Sequence, residues 1–145
     1  MVDLTRQAEL HEAIELLYFG YRSFTERPDR ILDRRGLGRV HHRLLYFIGR
    51  RPDISISGLL EVLAVSKQAL NAPLRQLLEM HLVAAVAGDD DRRVRRLRLT
   101  AEGQRLEAEL SGAQMRKLTA AFERAGAGGE DGWRRVMAEL AIPEG

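Results

Sequence analysis

The chain has 145 residues, 23 lysines and arginines against 21 aspartates and glutamates, a formal net charge of +2, and no cysteine. That length bounds one domain around one core, and the missing cysteine excludes disulfides and thiolate chemistry. No apolar run is long enough to span a bilayer and Met1-Val2-Asp3 opens no signal peptide, so a cytoplasmic protein with no membrane partner is expected.

From Leu10 through Ile14, Leu17, Tyr18, Tyr21 and Phe24 an apolar stripe recurs at helical spacing. It is expected to end at Arg27-Pro28, because the residue before proline is pushed out of the helical region. A second helix follows Gly36 with Leu37, Val40, His41, Leu44, Leu45 and Ile48 on its buried side, and stops at Gly49 and Pro52. Ser55 then caps a short helix to about Leu63, with Ile54 and Leu59 placed as a hydrophobic staple. Ala64-Val65 leaves room only for a tight turn, and Ser66 repeats the capping arrangement ahead of a helix starting at Lys67.

In that helix Leu70, Leu74, Leu77 and Leu78 share one face, which leaves Lys67, Gln68, Asn71 and Arg75 together on the other. A solvated helix face shows the same contrast, so the neighbouring segment of the chain decides its meaning. Pro73 stands in the helix interior, where it withholds the amide due to the Ala69 carbonyl, and a kink is expected there. After His81 the period changes. Leu82 to Val86 and Val94 to Thr100 read as the strands of a hairpin, joined by Gly88-Asp89-Asp90-Asp91-Arg92-Arg93. Arg92, Arg93, Arg95, Arg96 and Arg98 crowd this segment, an arrangement that repels itself unless it faces an anion. Two short helices followed by a basic hairpin form a winged helix-turn-helix, a device for reading DNA.

Asp91-Arg92-Arg93, a basic strand and then Leu99-Thr100-Ala101-Glu102-Gly103 resemble the wing signature of the MarR-type bacterial regulators, named for multiple antibiotic resistance. The resemblance extends to length and helix order over nearly the whole chain, although only this segment is specific. It implies a mainly α fold with a small β-hairpin wing, in which a winged helix-turn-helix core over 34–100 is flanked by dimerisation helices over 3–27 and 101–141 of one 1–145 domain. Without cysteine, the peroxide sensing of some members of that family is excluded.

Thr100 opens a long helix carrying Leu106, Leu110, Leu118 and Phe122 to a break at Gly126-Ala127-Gly128-Gly129. A last helix presents Trp133, Val136, Met137 and Leu140. Terminal helices this apolar need a partner. In the resembled family two subunits interlace them, and a two-fold dimer holding its recognition helices roughly 34–36 Å apart would match successive major grooves of a pseudo-palindromic operator.

The residue chemistry assigns tasks. Ser66 and Lys67, at a helix N-terminus, suit phosphate; Gln68 and Asn71 can read adenine edges; Arg75 can pair with guanine or phosphate. Arg92 and Arg93 are candidates for the minor groove, Arg95 extends the basic strand, and Asp91 is expected to orient the wing by pairing with an arginine. Tyr18, Tyr21, His41, His42 and Tyr46 lie on helices that border a cleft in this family. They form either a pocket for a small aromatic or carboxylate effector or a core of satisfied polar rings. Adjacent histidines point apart on a helix and no carboxylate stands at zinc-site spacing, so no metal is expected. Neither a phosphate-cradling glycine loop nor an activated nucleophile is present, so no cofactor and no catalysis are expected. The resulting expectation is a homodimeric, sequence-specific DNA-binding regulator, a repressor relieved by a small effector. The competing one is a winged-helix interaction module whose arginines dock an acidic protein.

Overall fold

Four hydroxyl or carboxylate side chains set helix starts in the same way, each accepting the backbone N–H three residues on. Asp3 takes that of Arg6 at 3.1 Å, Ser55 that of Gly58 at 3.1 Å, Ser66 that of Ala69 at 3.1 Å and Thr100 that of Gly103 at 3.0 Å. The computed structural model describes residues 3–88, 90 and 93–145. Along them run α1 (Leu4–Asp33), α2 (Arg39–Arg50), β1 (Ile54–Ser55), α3 (Ile56–Leu63), α4 (Lys67–Glu79), β2 (Val83–Ala87), β3 (Arg95–Leu99), α5 (Ala101–Ala125) and α6 (Gly129–Leu140). The molecule is mainly helical, and its strands form one antiparallel sheet in the order β1-β3-β2. Between α3 and α4, Ala64 adopts the left-handed conformation at φ 53°, which makes the tight turn of a helix-turn-helix.

The core gathers Leu44, Leu45 and Ile48 of α2, Leu59 of α3, Leu70, Leu74 and Leu77 of α4, Leu97 of β3 and Leu106 and Leu110 of α5. Leu32 joins them with no exposed surface, and this corrects one sequence expectation: α1 does not end at Arg27-Pro28 but continues through Pro28 to Asp33. Thr25, Pro28 and Leu32, at three- and four-residue spacing, are all buried, so packing outweighs the one backbone bond that proline withholds. Pro73 likewise lies inside an unbroken α4, with buried leucines on both sides, so the expected kink does not divide the helix.

The hairpin pairs Val83 with Leu99 through to Ala87 with Arg95. β1 adds an edge that the sequence reading missed, pairing Ile54 with Leu97 and Ser55 with Arg96. Gly103 explains the glycine of the Leu-Thr-x-x-Gly segment. A Cβ there would stand 1.9 Å from the Leu82 carbonyl oxygen, because the first turn of α5 rests directly on the backbone that enters β2. Thr100 fastens the same junction: its N–H donates to Leu82 O at 3.1 Å and its hydroxyl to His81 O at 2.7 Å.

The two ends of the chain are built differently. Residues 4–22 of α1 are exposed throughout, and α6 buries nothing. Leu10, Ile14, Leu17 and Tyr18 on the first, and Trp133, Val136 and Leu140 on the second, stand between 42% and 66% open. Isolated apolar residues on a surface are ordinary, but rows of them along two helices mark an interaction face.

Candidate nucleic-acid interface

The leucine side of α4 fixes what its other side presents. With Leu70, Leu74 and Leu77 in the core, Lys67, Gln68, Asn71 and Arg75 are all exposed. No side chain of the four forms a hydrogen bond or ion pair within the described residues, so their side-chain donors and acceptors face solvent uncommitted. Ser66 spends its hydroxyl on the Ala69 amide, and the remaining first-turn amides of α4 point outward with the positive end of the helix dipole behind them. Sequence reasoning placed these residues together, and the structure does so.

The wing divides its arginines. Arg93, Arg95 and Arg98 are exposed and Arg96 is half-buried; Arg96 and Arg98, two residues apart on the opposite side of β3 from Leu97, each face a carboxylate. Arg96 reaches both Asp90 oxygens at 3.3 and 3.4 Å, and Arg98 binds Asp53 through its Nε. The crowding inferred from sequence is therefore relieved in part from within the chain, a correction to the idea that only an outside anion could screen it. Asp53 was not foreseen. It sits in the left-handed region at φ 69°, its N–H donates to Leu97 O at 3.1 Å, and its bond to Arg98 holds its carboxyl below the usual carboxylate range. The residue thus grips β3 by backbone and side chain together. Asp91 and Arg92 lie outside the described residues.

The aromatic and histidine constellation separates into two places. Tyr21, His42 and Tyr46 line a groove of about 690 Å³ between α1, α2 and α5, together with Arg39, Arg43, Arg50 and Glu107. Arg39 closes one end: its guanidinium donates to both Asp29 oxygens at 2.9 to 3.2 Å and lies 5.4 Å from the centre of the Tyr21 ring. Burial pushes His42 below the ordinary imidazole range, reinforced by Arg43 and opposed by Glu107 and Asp29. Tyr18 is elsewhere, packed edge to face on Phe19 and 60% exposed. His41 is not in the groove either. It is 8% exposed, its Nδ1 accepts the Gly38 N–H at 2.9 Å, and its Nε2 lies 2.9 Å from Gln76 Oε1 of α4. Two consecutive positions on a helix differ by about 100°, which sends one histidine to the groove and the other to the core.

Among the described residues no group of three histidines or acids could hold a metal ion, and no helix is long and apolar enough to cross a membrane. Residues 35–94 match the sequence pattern of the MarR family. Over 135 residues the chain is 44% identical to the HTH-type transcriptional regulator PetP of Rhodobacter capsulatus, covering 93% of this chain and 81% of that protein. Among solved structures, the MarR family transcription regulator SP03579 superposes with a TM-score of 0.79 at 18% identity, over 94% of this chain and 91% of the other. NadR in complex with 4-hydroxyphenylacetate superposes with a TM-score of 0.71 at 22% identity, over 88% and 91%.

Proposed function

Because the chain belongs to the MarR family of transcriptional regulators, we propose that it binds a pseudo-palindromic DNA operator as a homodimer in the cytoplasm and represses transcription until a small effector releases it. The observation that carries this reading is the outward side of α4, where Lys67, Gln68, Asn71 and Arg75 stand exposed with no internal partner among the described residues. In the major groove, Gln68 and Asn71 read adenine edges, Arg75 takes a guanine or a phosphate, and Ser66 and Lys67 seat a phosphate on the helix N-terminus. Arg92, Arg93 and Arg95 of the wing follow the adjacent minor groove and backbone, with Asp91 as a further orienter of the loop. Arg96 and Arg98, held by Asp90 and Asp53, stiffen that wing.

The exposed apolar rows of α1 and α6 are the dimer contact, one copy covering the other. The effector site is the groove at Tyr21, His42 and Tyr46, and the ligand class is an aromatic ring with an anionic end. The rings supply the apolar walls, while Arg43 and Arg50 are cations without an internal partner among the described residues. NadR, with 4-hydroxyphenylacetate bound, supports that class. An effector that binds better to a dimer with mis-spaced recognition helices must lower DNA affinity by the same factor.

The test is Arg75→Ala combined with Arg93→Ala in a gel-retention assay with the chain's own upstream DNA. Loss of retention of tenfold or more is expected, since each such contact contributes about 1–3 kcal/mol. Unchanged retention would remove DNA from the reading and leave the basic wing to an acidic protein partner.

A further inference from the structure

The first turn of α2 touches both the groove and the recognition helix. Gly38 is the N-cap of that helix, and its N–H is taken by His41 Nδ1 at 2.9 Å. An imidazole nitrogen that accepts an N–H carries no proton of its own, so the ring hydrogen belongs on Nε2, which then donates to Gln76 Oε1 at 2.9 Å. Gln76 completes the chain by donating from Nε2 to the Gly36 carbonyl at 3.3 Å. Its neighbour Arg75 is on the exposed side of α4. The residue after Gly38 is Arg39, whose ion pair with Asp29 closes the groove.

We propose that His41 is a positioning residue: through Gln76 it fixes the seat of α4 on the α1–α2 corner, and it transmits to α4 any disturbance of the Arg39–Asp29 latch. The inference rests on the DNA reading for its consequence but not for its structural core. A ligand whose anion competes with Asp29 for Arg39 frees the α2 N-terminus. The Gly38 amide then moves relative to the imidazole, and the Gln76 amide, which has partners only at His41 and Gly36 among the described residues, loses the geometry of both. The leucines of α2 and α4 share one apolar core, which adjusts by sliding, whereas a relay of three directional bonds has a defined broken state. His41 is nearly fully buried, so water is a poor substitute for the lost partners.

The test is a double-mutant cycle read on operator affinity, with Asp29→Asn releasing the latch and His41→Leu removing the relay at similar volume. In the wild-type background Asp29→Asn is expected to lower operator affinity at least about threefold, and in the His41→Leu background to change it by less than about 1.5-fold. The added positive charge of Asp29→Asn acts equally in both backgrounds and cancels. His41→Gln, which keeps a donor for Gln76, is expected to restore most of the coupling. An equal fold-change in both backgrounds overturns the proposal. Nitrogen-15 NMR of the histidine rings gives a readout that needs no DNA: in the wild type His41 shows an unprotonated Nδ1 and a protonated Nε2, and both signals move in Asp29→Asn. A protonated Nδ1, or signals indifferent to Asp29→Asn, overturns it as well. If the wild type binds no operator, the DNA reading fails while the NMR result still decides the relay.

Discussion

Gly103→Ala puts the junction of wing and long helix under a defined load. The new methyl would lie 1.9 Å from the Leu82 oxygen and 2.9 Å from its carbonyl carbon. An ordinary carbon–oxygen contact is about 3.3 Å or more, so α5 must withdraw by more than about 1 Å from a backbone that cannot rotate aside. Overpacking of this kind costs about 1–3 kcal/mol. Withdrawal also strains the bonds of Thr100 to His81 and Leu82, at about 1 kcal/mol each if lost, against a gain of about 1 kcal/mol from alanine's helix propensity. The net expectation is a loss of about 2–4 kcal/mol, a fall in Tm on the order of 10 °C for a chain of this length. Thermal unfolding by circular dichroism, at one fixed protein concentration so that dimerisation does not shift the midpoint, measures it. Gly112→Ala in the same helix is the control: its Cβ meets only the end of the Arg116 side chain at 3.4 Å, and it is expected to raise the Tm slightly. A Gly103→Ala protein as stable as wild type would refute the close approach and the explanation of the glycine built on it.

Asp53→Asn removes the carboxylate partner of Arg98 while preserving shape, so amide exchange along β3 should quicken and the preference for operator over scrambled DNA should narrow; unchanged exchange would deny Asp53 its hold on the wing. His42 is held below its unfolded value near 6.5, so the unfolded chain takes up a proton first as the pH drops. The stability contributed by neutral His42 is therefore complete above about pH 6.5 and is lost as the pH falls from there through its lower folded pKa. Urea unfolding at a series of pH values should show that slope, and His42→Gln should flatten it; an equal slope in the variant counts against the assignment. In the same window, an aromatic carboxylate used as a probe of the groove and followed by calorimetry should bind more tightly as the pH falls, because an anion in the groove favours protonated His42. Leu17→Glu with Val136→Glu places charges in both exposed apolar rows and should yield a monomer by sedimentation velocity, whereas an unaltered dimer would move the interface elsewhere.

What could be read from the sequence was what is local. Ser55, Ser66 and Thr100 each signal a helix start within three residues, and the leucines of α4 define its outward side by spacing alone, so Lys67, Gln68, Asn71 and Arg75 were legible as one exposed group. What could not be read depended on partners distant in the chain. The Asp53–Arg98 pair spans 45 residues, and β1 is only two residues long, too short to show a period. Pro28 looked like a terminator because its neighbours alone argue for one, and only the burial of Thr25 and Leu32 keeps α1 going. His41 and His42 looked like one cluster, but helical rotation separates them, and the role of His41 appeared only with Gln76, 35 residues away.

The central claim is tested most directly by fluorescence anisotropy of the purified protein with its own upstream intergenic DNA and a scrambled duplex, each at two salt concentrations. Tight binding to the upstream DNA is predicted, with weaker and steeply salt-dependent binding to the scrambled duplex, as phosphate neutralisation by the wing requires. No binding to either duplex at low salt would contradict the account.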